Sequence, residues 1–242
     1  MVLFEKKKKA LDFFLTKLLK AETASNVAKI YLFGSFHKGE FDERSDIDIL
    51  IVSFNGKEEL DEFCLDLSFD ISSHFAEFIE THIYDIYDWQ FPPNYLVYRV
   101  KKGGREIYSV DEKEIKRREI EGFMELAQEY LNGSEHLIRN GFYRGAIDQA
   151  YNALELCLKG FLLFKMEDLP GRHSSVIEKF IEYYLKPEIF PRNLSKKIKH
   201  AFKKRNNARY NPSAYFNEKD AEGLISLTRE MLENLQPTLT EW

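Results

Sequence analysis

The sequence predicts an α+β fold, in which a small mixed-sheet domain is followed by an all-α helical bundle. In the first half, short apolar runs bounded by Gly, Asp and Pro alternate with helical patterns, which is typical of a sheet with helices around it. After about residue 110, the apolar residues follow helical spacing alone. A chain of 242 residues is long enough for two ordinary domains, which we expect at residues 1–112 and 113–242.

The first domain is expected to open with an amphipathic helix over residues 4–20, because Leu11, Phe14 and Leu18 recur at helical spacing. The elements that follow are predicted from apolar runs and from the Gly and Pro residues between them. They are strands at 28–33 and 47–53 joined by a charged connection, a helix at 57–76, a strand at 78–86, a helix after Pro92 and Pro93, and a short strand after Gly104.

The second domain reads as helices separated by a few breaks. We expect a first helix that Gly133 interrupts, and a last helix that begins after Asn217 as its N-cap and runs to about residue 235. Between them, helices are predicted at 144–165, 174–185 and 192–208, with a loop at 166–173.

Charge is divided unevenly between the two predicted domains. Residues 1–112 carry 14 Lys and Arg against 21 Asp and Glu, a balance of −7, whereas residues 113–242 carry 21 against 19, a balance of +2. An acidic front half suits a metal site, and a locally basic back half suits a surface that contacts a polyanion.

The two cysteines, Cys64 and Cys157, lie in apolar helical stretches without disulfide or zinc spacing. They are expected to be buried thiols in a reducing compartment, which makes the protein cytoplasmic. Lys17 and Lys20 interrupt the apolar part of the N-terminal segment, so it is not expected to be a signal peptide. No apolar run is long enough to span a membrane.

The main chemical signal is the segment LFGSFHKGEFDERSDIDILIV at residues 32–52. Asp46 and Asp48 are one residue apart at the mouth of an apolar strand, so their carboxylates project from the same face. Two carboxylates at one spot are suited to hold a hard divalent cation through oxygen ligands. Gly34-Ser35 ends the preceding strand, where a glycine lets backbone amides approach a phosphate closely. The pattern therefore indicates Mg²⁺-dependent chemistry on a nucleoside triphosphate.

The Gly-Ser pair, ten intervening residues, and Asp46-Ile47-Asp48 before an apolar strand resemble the DNA polymerase β-type nucleotidyltransferases, in particular their minimal, MNT-type members. The resemblance implies that Gly34 and Ser35 hold the triphosphate and that the two aspartates bind Mg²⁺. Lys38 and Arg44 resemble residues that usually stand between the two motifs, and we expect them to contribute to nucleotide binding.

The family usually adds a third carboxylate on a later strand, as a metal ligand or general base. Glu80 is our choice, because it opens the strand FIETHIYDI and would share a face with His82. The alternatives that stay open are Asp85, Asp88 and Glu77. His37 and His82 are expected to be surface or neighbouring groups rather than ligands. A different interpretation makes Asp46 and Asp48 turn and strand-edge residues without chemistry.

The segments NGFYRGAIDQAYNALELCLKGFLL, RHS and RNNARYNP resemble a HEPN domain over about 120–236. The resemblance implies a helical bundle that dimerises, and in active members a metal-independent ribonuclease that uses Arg and His. Arg205 and Asn206 match the motif, but Tyr210 stands where its histidine is expected. Asn211 and Pro212 fill the other positions that the motif allows, and His173 belongs to the loop turn, so the motif lacks the group that acid–base cleavage of RNA needs near neutral pH. We expect a carboxylate to hold Arg205.

The resemblance suggests a second role for Tyr210. In related toxin–antitoxin pairs, the nucleotidyltransferase modifies a tyrosine beside the HEPN motif with AMP, which makes Tyr210 a candidate acceptor. The simpler interpretation is that Tyr210 packs at a helix end.

The combined prediction is a nucleotidyltransferase that moves a nucleoside monophosphate, by preference AMP, from ATP or another NTP to a hydroxyl acceptor. Mg²⁺ is the expected cofactor, with Asp46, Asp48 and Glu80 as the catalytic acids. The HEPN domain would bind an RNA, protein or small-molecule acceptor and form a homodimer. The alternatives are a nucleotide- or RNA-binding regulatory module with little turnover, and a HEPN ribonuclease restrained by the front domain.

Overall fold

The computed structural model describes residues 2–242 of the chain. Met1, which the predicted first domain includes, lies outside the described residues. The chain divides into two compact units, one reaching to Ile115 and one covering Lys116–Trp242. Each is an independent cluster of contacts, and the predicted α+β class, with a small mixed sheet followed by helices, is confirmed.

The first unit combines a four-stranded sheet with five α-helices. A short 3₁₀ turn, Glu22–Asn26, leads into the first strand. The helices and strands are, in chain order, α1 (Val2–Leu18), β1 (Val27–Phe33), α2 (Gly34–Lys38), β2 (Ile47–Ser53), α3 (Lys57–Phe75), β3 (Ile79–Asp85), α4 (Ile86–Gln90), α5 (Tyr95–Gly103) and β4 (Arg105–Ser109).

The sheet is mixed, with strand order β3-β2-β1-β4. Strand β1 is antiparallel to both of its neighbours, whereas β2 and β3 run parallel. The register places Asp48 opposite Phe33 of β1 and opposite Glu80 of β3. Because facing residues of paired strands point to the same side of a sheet, the side chains of Asp48 and Glu80 share one face.

Each face of this sheet packs on different helices. On one face, the isoleucines of β2 and β3 contact α1 and α3 in a core that includes Phe14, Ile49 and Leu60. On the other face, Leu50 and Val52 pack with the side chains of α4 and α5. Asp48 lies two residues before Leu50, so it belongs to this second face.

The second unit is helical. Its helices are α6 (Glu112–Arg139), α7 (Tyr143–Leu163), α8 (His173–Phe180), α9 (Leu194–Tyr210) and α10 (Glu218–Glu241); Ile181–Leu185 continues α8 as a π-helical turn, and α6 begins before the unit boundary. Helix α7 is the central element and packs against α8, α9 and α10. The Asn217 N-cap is confirmed, with Asp220 completing a capping box.

The predicted break at Gly133 is wrong, because α6 continues through it to Arg139. A Cβ atom at Gly133 would lie 3.2 Å from Oε1 of Gln149, so the glycine allows α7 to approach closely. The chain turns instead at Gly141, whose φ of +75° lies in the left-handed region. Both glycines look alike in the sequence, and packing separates their roles.

Cys64 and Cys157 are buried free thiols, as predicted. Burial raises the pKa of each thiol to about 12. Of the helices described within residues 2–242, none combines the length and the apolar character that a membrane span requires.

Candidate active site

Three carboxylates come together at one end of the sheet. Asp48 in β2 is directly opposite Glu80 in the parallel strand β3, and Asp46 lies two residues before Asp48. Burial raises the pKa of the Asp48 carboxyl above its ordinary value, and the negative charges of Glu80 and Asp46 raise it further. These three carboxylates, called the acid cluster below, therefore interact electrostatically.

Among the described residues, the two aspartates of the acid cluster have no Lys or Arg counter-charge. Within residues 2–242, no Lys or Arg forms an ion pair with Asp46 or Asp48. His82 lies beside them, with Nε2 3.5 Å from Oε1 of Glu80, and it acts to lower the pKa of Asp48 against the larger raising effects. Clustered like charges without a counter-charge are costly, and a bound cation would relieve the repulsion.

The donor set fits magnesium when a nucleotide supplies further ligands. In the part of the chain that the structure describes, no three His, Cys, Asp or Glu side chains form a ready-made metal site. Mg²⁺ is usually held by one or two carboxylates together with substrate phosphates and water, rather than by a cage of protein ligands alone. Asp46 and Asp48 match that kind of site, with Glu80 beside them.

Gly34 lies against the acid cluster and cannot be replaced without strain. Its φ is +70°, and a Cβ atom there would fall 1.8 Å from Oδ2 of Asp48. The glycine that ends β1 therefore lets the backbone pass directly beside the carboxylate. Ser35 follows it in the short helix α2 and is partly exposed.

A cleft of about 510 Å³ opens beside Gly34, between α2 and α5. Three cationic side chains line it: Lys38 from α2, and Arg99 and Lys102 from α5. None of the three has a carboxylate within ion-pair distance among residues 2–242, and no acidic residue lines the cleft. The cleft therefore carries positive charge that an anionic ligand could neutralise.

Sequence reasoning missed Arg99 and Lys102. The signal was present, because YLVYRVKKG places Val97 and Val100 on one face of α5 and its basic residues on the rest of the helix. The fold, rather than the motif, brings these cations next to Gly34.

Arg44, which we expected to bind nucleotide, is exposed in the loop before Asp46. Its backbone N–H donates to Oδ1 of Asp42 at 2.8 Å, and the Ser45 hydroxyl donates to the same oxygen at 3.1 Å. These bonds fold the loop into a tight turn. Within the described residues, no ion pair joins the Arg44 guanidinium to the acid cluster.

Two of the three alternative third carboxylates, Asp85 and Glu77, have other contacts. Asp85 caps α4 by accepting from the backbone N–H of Asp88 at 2.7 Å. Glu77 is buried and pairs with Lys7. Glu80 alone among the candidates lies opposite Asp48 in the strand register.

In the second unit, Arg205 belongs to a buried polar cluster, and its side chain is 4% exposed. Its Nε lies 3.5 Å from Oδ1 of Asp148; the sequence analysis expected a carboxylate beside Arg205 without naming the residue. Its Nη1 donates to Asn206 at 3.2 Å, and its Nη2 lies 3.5 Å from Nε2 of His173. Nδ1 of His173 contacts the Glu155 carboxylate. The structure thus joins His173 to Arg205, which sequence spacing did not reveal.

Tyr210 is separate from this cluster. It is the last residue of α9 and is 71% exposed. Arg144 holds the chain just beside it, because its guanidinium donates to the carbonyls of Ala208 at 2.6 Å and Asn211 at 3.0 Å. The Tyr210 hydroxyl is therefore displayed on an anchored helix end.

Comparison with known families agrees with both units. The profile described as polymerase beta nucleotidyltransferase matches residues 15–113, and the HEPN domain profile matches residues 120–236. The chain belongs to the polymerase β-type nucleotidyltransferases and carries a HEPN domain. The family resemblance predicted from the sequence is confirmed, and the protein is a nucleotidyltransferase by class.

Two relatives come from Methanocaldococcus jannaschii. The protein named "Putative toxin MJ0142" is 31% identical over 109 residues, which are 45% of this chain and 74% of that protein. The protein named "Putative toxin MJ0605" is 28% identical over 125 residues, which are 52% of this chain and 92% of that protein.

Among solved structures, spectinomycin adenyltransferase AAD(9) from Enterococcus faecialis, in a crystal with ATP and spectinomycin, aligns with 95% of this chain and 99% of its own. The identity is 15% and the TM-score is 0.33, a level that supports no inference about substrates.

Proposed function

We propose that this nucleotidyltransferase moves a nucleoside monophosphate, by preference AMP, from a nucleoside triphosphate to a hydroxyl acceptor in a Mg²⁺-dependent reaction. The observation that carries the proposal is the acid cluster. Asp48 faces Glu80 beside Asp46 with no Lys or Arg ion pair on either aspartate in residues 2–242, and Gly34 passes directly next to it.

In the proposed reaction, the acceptor oxygen attacks the α-phosphorus, the bond to the bridging oxygen of the β-phosphate breaks, and pyrophosphate leaves. Glu80 accepts the proton of the attacking hydroxyl. Asp46 and Asp48 would hold Mg²⁺, which when bound neutralises phosphate charge. Most of the remaining rate enhancement in such reactions comes from positioning of the two reactants.

The cleft supports a triphosphate as the donor. Gly34, Ser35 and Lys38 would contact the phosphates from the α2 side, and Arg99 and Lys102 would neutralise them from the α5 side. Arg44, exposed in the loop before Asp46, would reach the phosphates after its side chain reorients.

Transfer of label from α-³²P-ATP tests this function. Wild-type protein with Mg²⁺ should label an acceptor, and the Asp46→Asn/Asp48→Asn variant should not. The Asp66→Asn variant, which removes an exposed carboxylate of α3, serves as the matched control. Tight binding of ATP without any transfer to protein or added RNA would contradict the proposal and favour the regulatory alternative.

For the acceptor, we propose a macromolecule, either a protein or an RNA, in a toxin–antitoxin type of system. The names of the two relatives support this assignment. Tyr210 is a candidate acceptor in the chain itself or in a second copy, because its hydroxyl is displayed on an exposed helix end. Tyr210→Phe should abolish self-labelling if it is the acceptor, whereas Tyr215→Phe, at a tyrosine that is 85% exposed, should not. We also propose a homodimer formed through the helical unit.

The contact between His173 and Arg205 favours a second candidate function, ribonuclease activity of the HEPN domain. If Nδ1–H of His173 donates to Glu155, Nε2 keeps a lone pair and can act as a base next to the guanidinium of Arg205. RNA cleavage that persists in EDTA, and that both His173→Gln and Arg205→Lys abolish, is the expected result. Cleavage that depends on Mg²⁺ would exclude this assignment.

A further inference from the structure

Lys7 is a buried lysine in the first helix. Its side chain has 0% relative exposure, although it lies in a helix on the outside of the sheet. Lysine is almost never fully buried unless its ammonium group is paired, so its partners indicate why the chain retains it there.

The ammonium group of Lys7 joins the starts of the two parallel strands that carry the acid cluster. It donates to the backbone carbonyl of Ser45 at 2.5 Å and to the buried carboxylate of Glu77. Ser45 directly precedes Asp46, and Glu77 lies three residues before Glu80. One side chain of α1 therefore connects the residue before Asp46 to the residue that begins the approach to β3.

Lys6 differs from Lys7 in one useful respect. It also reaches Glu77, at 2.9 Å, and it donates to the Ala76 carbonyl at 3.1 Å, but its side chain is 41% exposed. Its contacts stay on the approach to β3, whereas Lys7 also reaches Ser45. Comparing variants of the two lysines therefore separates the effect of contacting Glu77 from the effect of linking the starts of the two strands.

We propose that Lys7 is a positioning residue, which through Ser45 and Glu77 holds Asp46 at the distance from Glu80 that a metal-bound nucleotide requires. This inference rests on the proposed function, because it assigns the acid cluster to metal and nucleotide binding. The carboxylates repel one another, and the backbone bond from Ile47 N–H to the Phe78 carbonyl at 3.0 Å is the next connection between the strand starts. Without Lys7, the loop that carries Asp46 would be free to move outward.

If the Lys7–Glu77 pair only stabilised the fold, neutral replacements that still fold should leave Mg²⁺ binding unchanged. Buried ion pairs contribute little net stability, and replacing both partners by neutral groups of similar size often leaves the fold intact. If Lys7 positions Asp46, a neutral replacement that keeps a donor for Ser45 should largely preserve the site, and one that removes the donor should loosen it.

The test compares Lys7→Met/Glu77→Gln with Lys7→Gln/Glu77→Gln, because both remove the two charges and only the first removes the donor to Ser45. Lys6→Met is the control. Thermal unfolding reports the fold, calorimetric titration of Mg²⁺ with a non-hydrolysable ATP analogue reports the site without turnover, and label transfer reports kcat.

We expect the Met/Gln variant to bind Mg²⁺ with the analogue about 10-fold more weakly and to lose about 10-fold to 100-fold in kcat, because displacements of about 1 Å have effects of this size. The Gln/Gln variant, whose amide is a shorter donor, should lose less Mg²⁺ affinity than the Met/Gln variant, and the Lys6→Met control should stay close to wild type. Wild-type metal affinity in a folded Met/Gln variant would overturn the proposal.

If the Met/Gln variant does not fold, the Gln/Gln variant decides. Its shorter donor should weaken Mg²⁺ binding measurably at an unchanged melting temperature, and wild-type binding there would equally overturn the inference. If wild-type protein binds Mg²⁺ and the analogue but transfers no label, the proposed function fails, and the binding measurements still test the position of Asp46.

Discussion

The candidate site of the front unit and the Arg205 cluster of the helical unit hold their charged residues in opposite ways. In the front unit, Asp46 and Asp48 lie beside Glu80 without a Lys or Arg ion pair among the described residues. In the helical unit, Arg205 is buried and meets a carboxylate and the ring of His173. Buried charges that neighbouring side chains neutralise need no ligand. Clustered charges that lack such a neighbour indicate a bound ligand of opposite charge that neutralises them.

At the candidate site of the front unit, the cationic and the acidic side chains do not form ion pairs with each other among the described residues. Lys38, Arg99 and Lys102 line a cleft that Gly34 also lines, and Asp48 of the acid cluster lies directly against the same glycine. Pairing these groups directly would stabilise the empty protein and close the site. An ion and a polyphosphate would bridge the two sets, which is why this arrangement supports a nucleotide site.

The largest expected effect distinguishes Glu80 from the metal-binding acids. Glu80→Gln should lower kcat by about 100-fold to 10,000-fold, the contribution typical of a general base, and should leave binding of Mg²⁺ with the ATP analogue nearly unchanged. Label transfer and calorimetry measure the two quantities, with Glu62→Gln on α3 as the control. Parallel losses of binding and rate would instead make Glu80 a metal ligand.

The next effect concerns the buried polar cluster around Arg205 in the helical unit. Arg205→Met should lower the free energy of unfolding by about 3 kcal/mol, because it leaves the partners of a buried cation unpaired. Urea unfolding measures this change. Arg209→Met is a matched control, since Arg209 contacts the same Asp148 oxygen at 3.5 Å but its side chain is 44% exposed, and it should cost less than about 1 kcal/mol. Equal losses would contradict the contrast between the units.

The cleft predicts a smaller effect on substrate affinity. Arg99→Gln/Lys102→Gln should raise the KM for ATP about 30-fold, since each of the two lost charge-assisted bonds to phosphate contributes roughly 1 kcal/mol. Steady-state label transfer over a range of ATP concentrations measures it, with Lys9→Gln on the exposed side of α1 as the control. An unchanged KM would mean that the triphosphate binds elsewhere.

The smallest expected effect is on the free energy of unfolding, which the repulsion within the acid cluster lowers. The raised pKa of Asp48 means that the folded protein holds a proton that the unfolded chain releases, so the free energy of unfolding falls as pH rises from the ordinary value of 3.8 through the raised pKa. Asp48→Asn should remove this dependence and raise the melting temperature at pH 7 in EDTA by about 2 °C, as expected for under 1 kcal/mol. Calorimetric unfolding over a pH series that starts near the ordinary value of 3.8 and rises from there measures it. A lower melting temperature would mean that the clustered charges are tolerated without strain.

Local patterns were sufficient for most elements and failed where packing decides. Asn217 could be recognised as an N-cap because the residues of a capping box are neighbours in the chain. Gly133 was assigned as a break because a lone glycine looks the same in a turn as in a helix that packs closely on Gln149. The acids Asp46 and Asp48 were visible because two residues of one strand determine the face that they share.

Interactions between residues that are close in the sequence are therefore enough to specify the helices, the strands and the pair of aspartates, because backbone hydrogen bonding, periodicity and capping act over a few residues. Three other features arise from contacts between residues far apart in the chain: Glu80 faces Asp48 through the register of parallel strands, Lys7 reaches Ser45, and His173 meets Arg205. No spacing rule encodes these pairs, since strand register and helix packing settle them only when the whole core has formed.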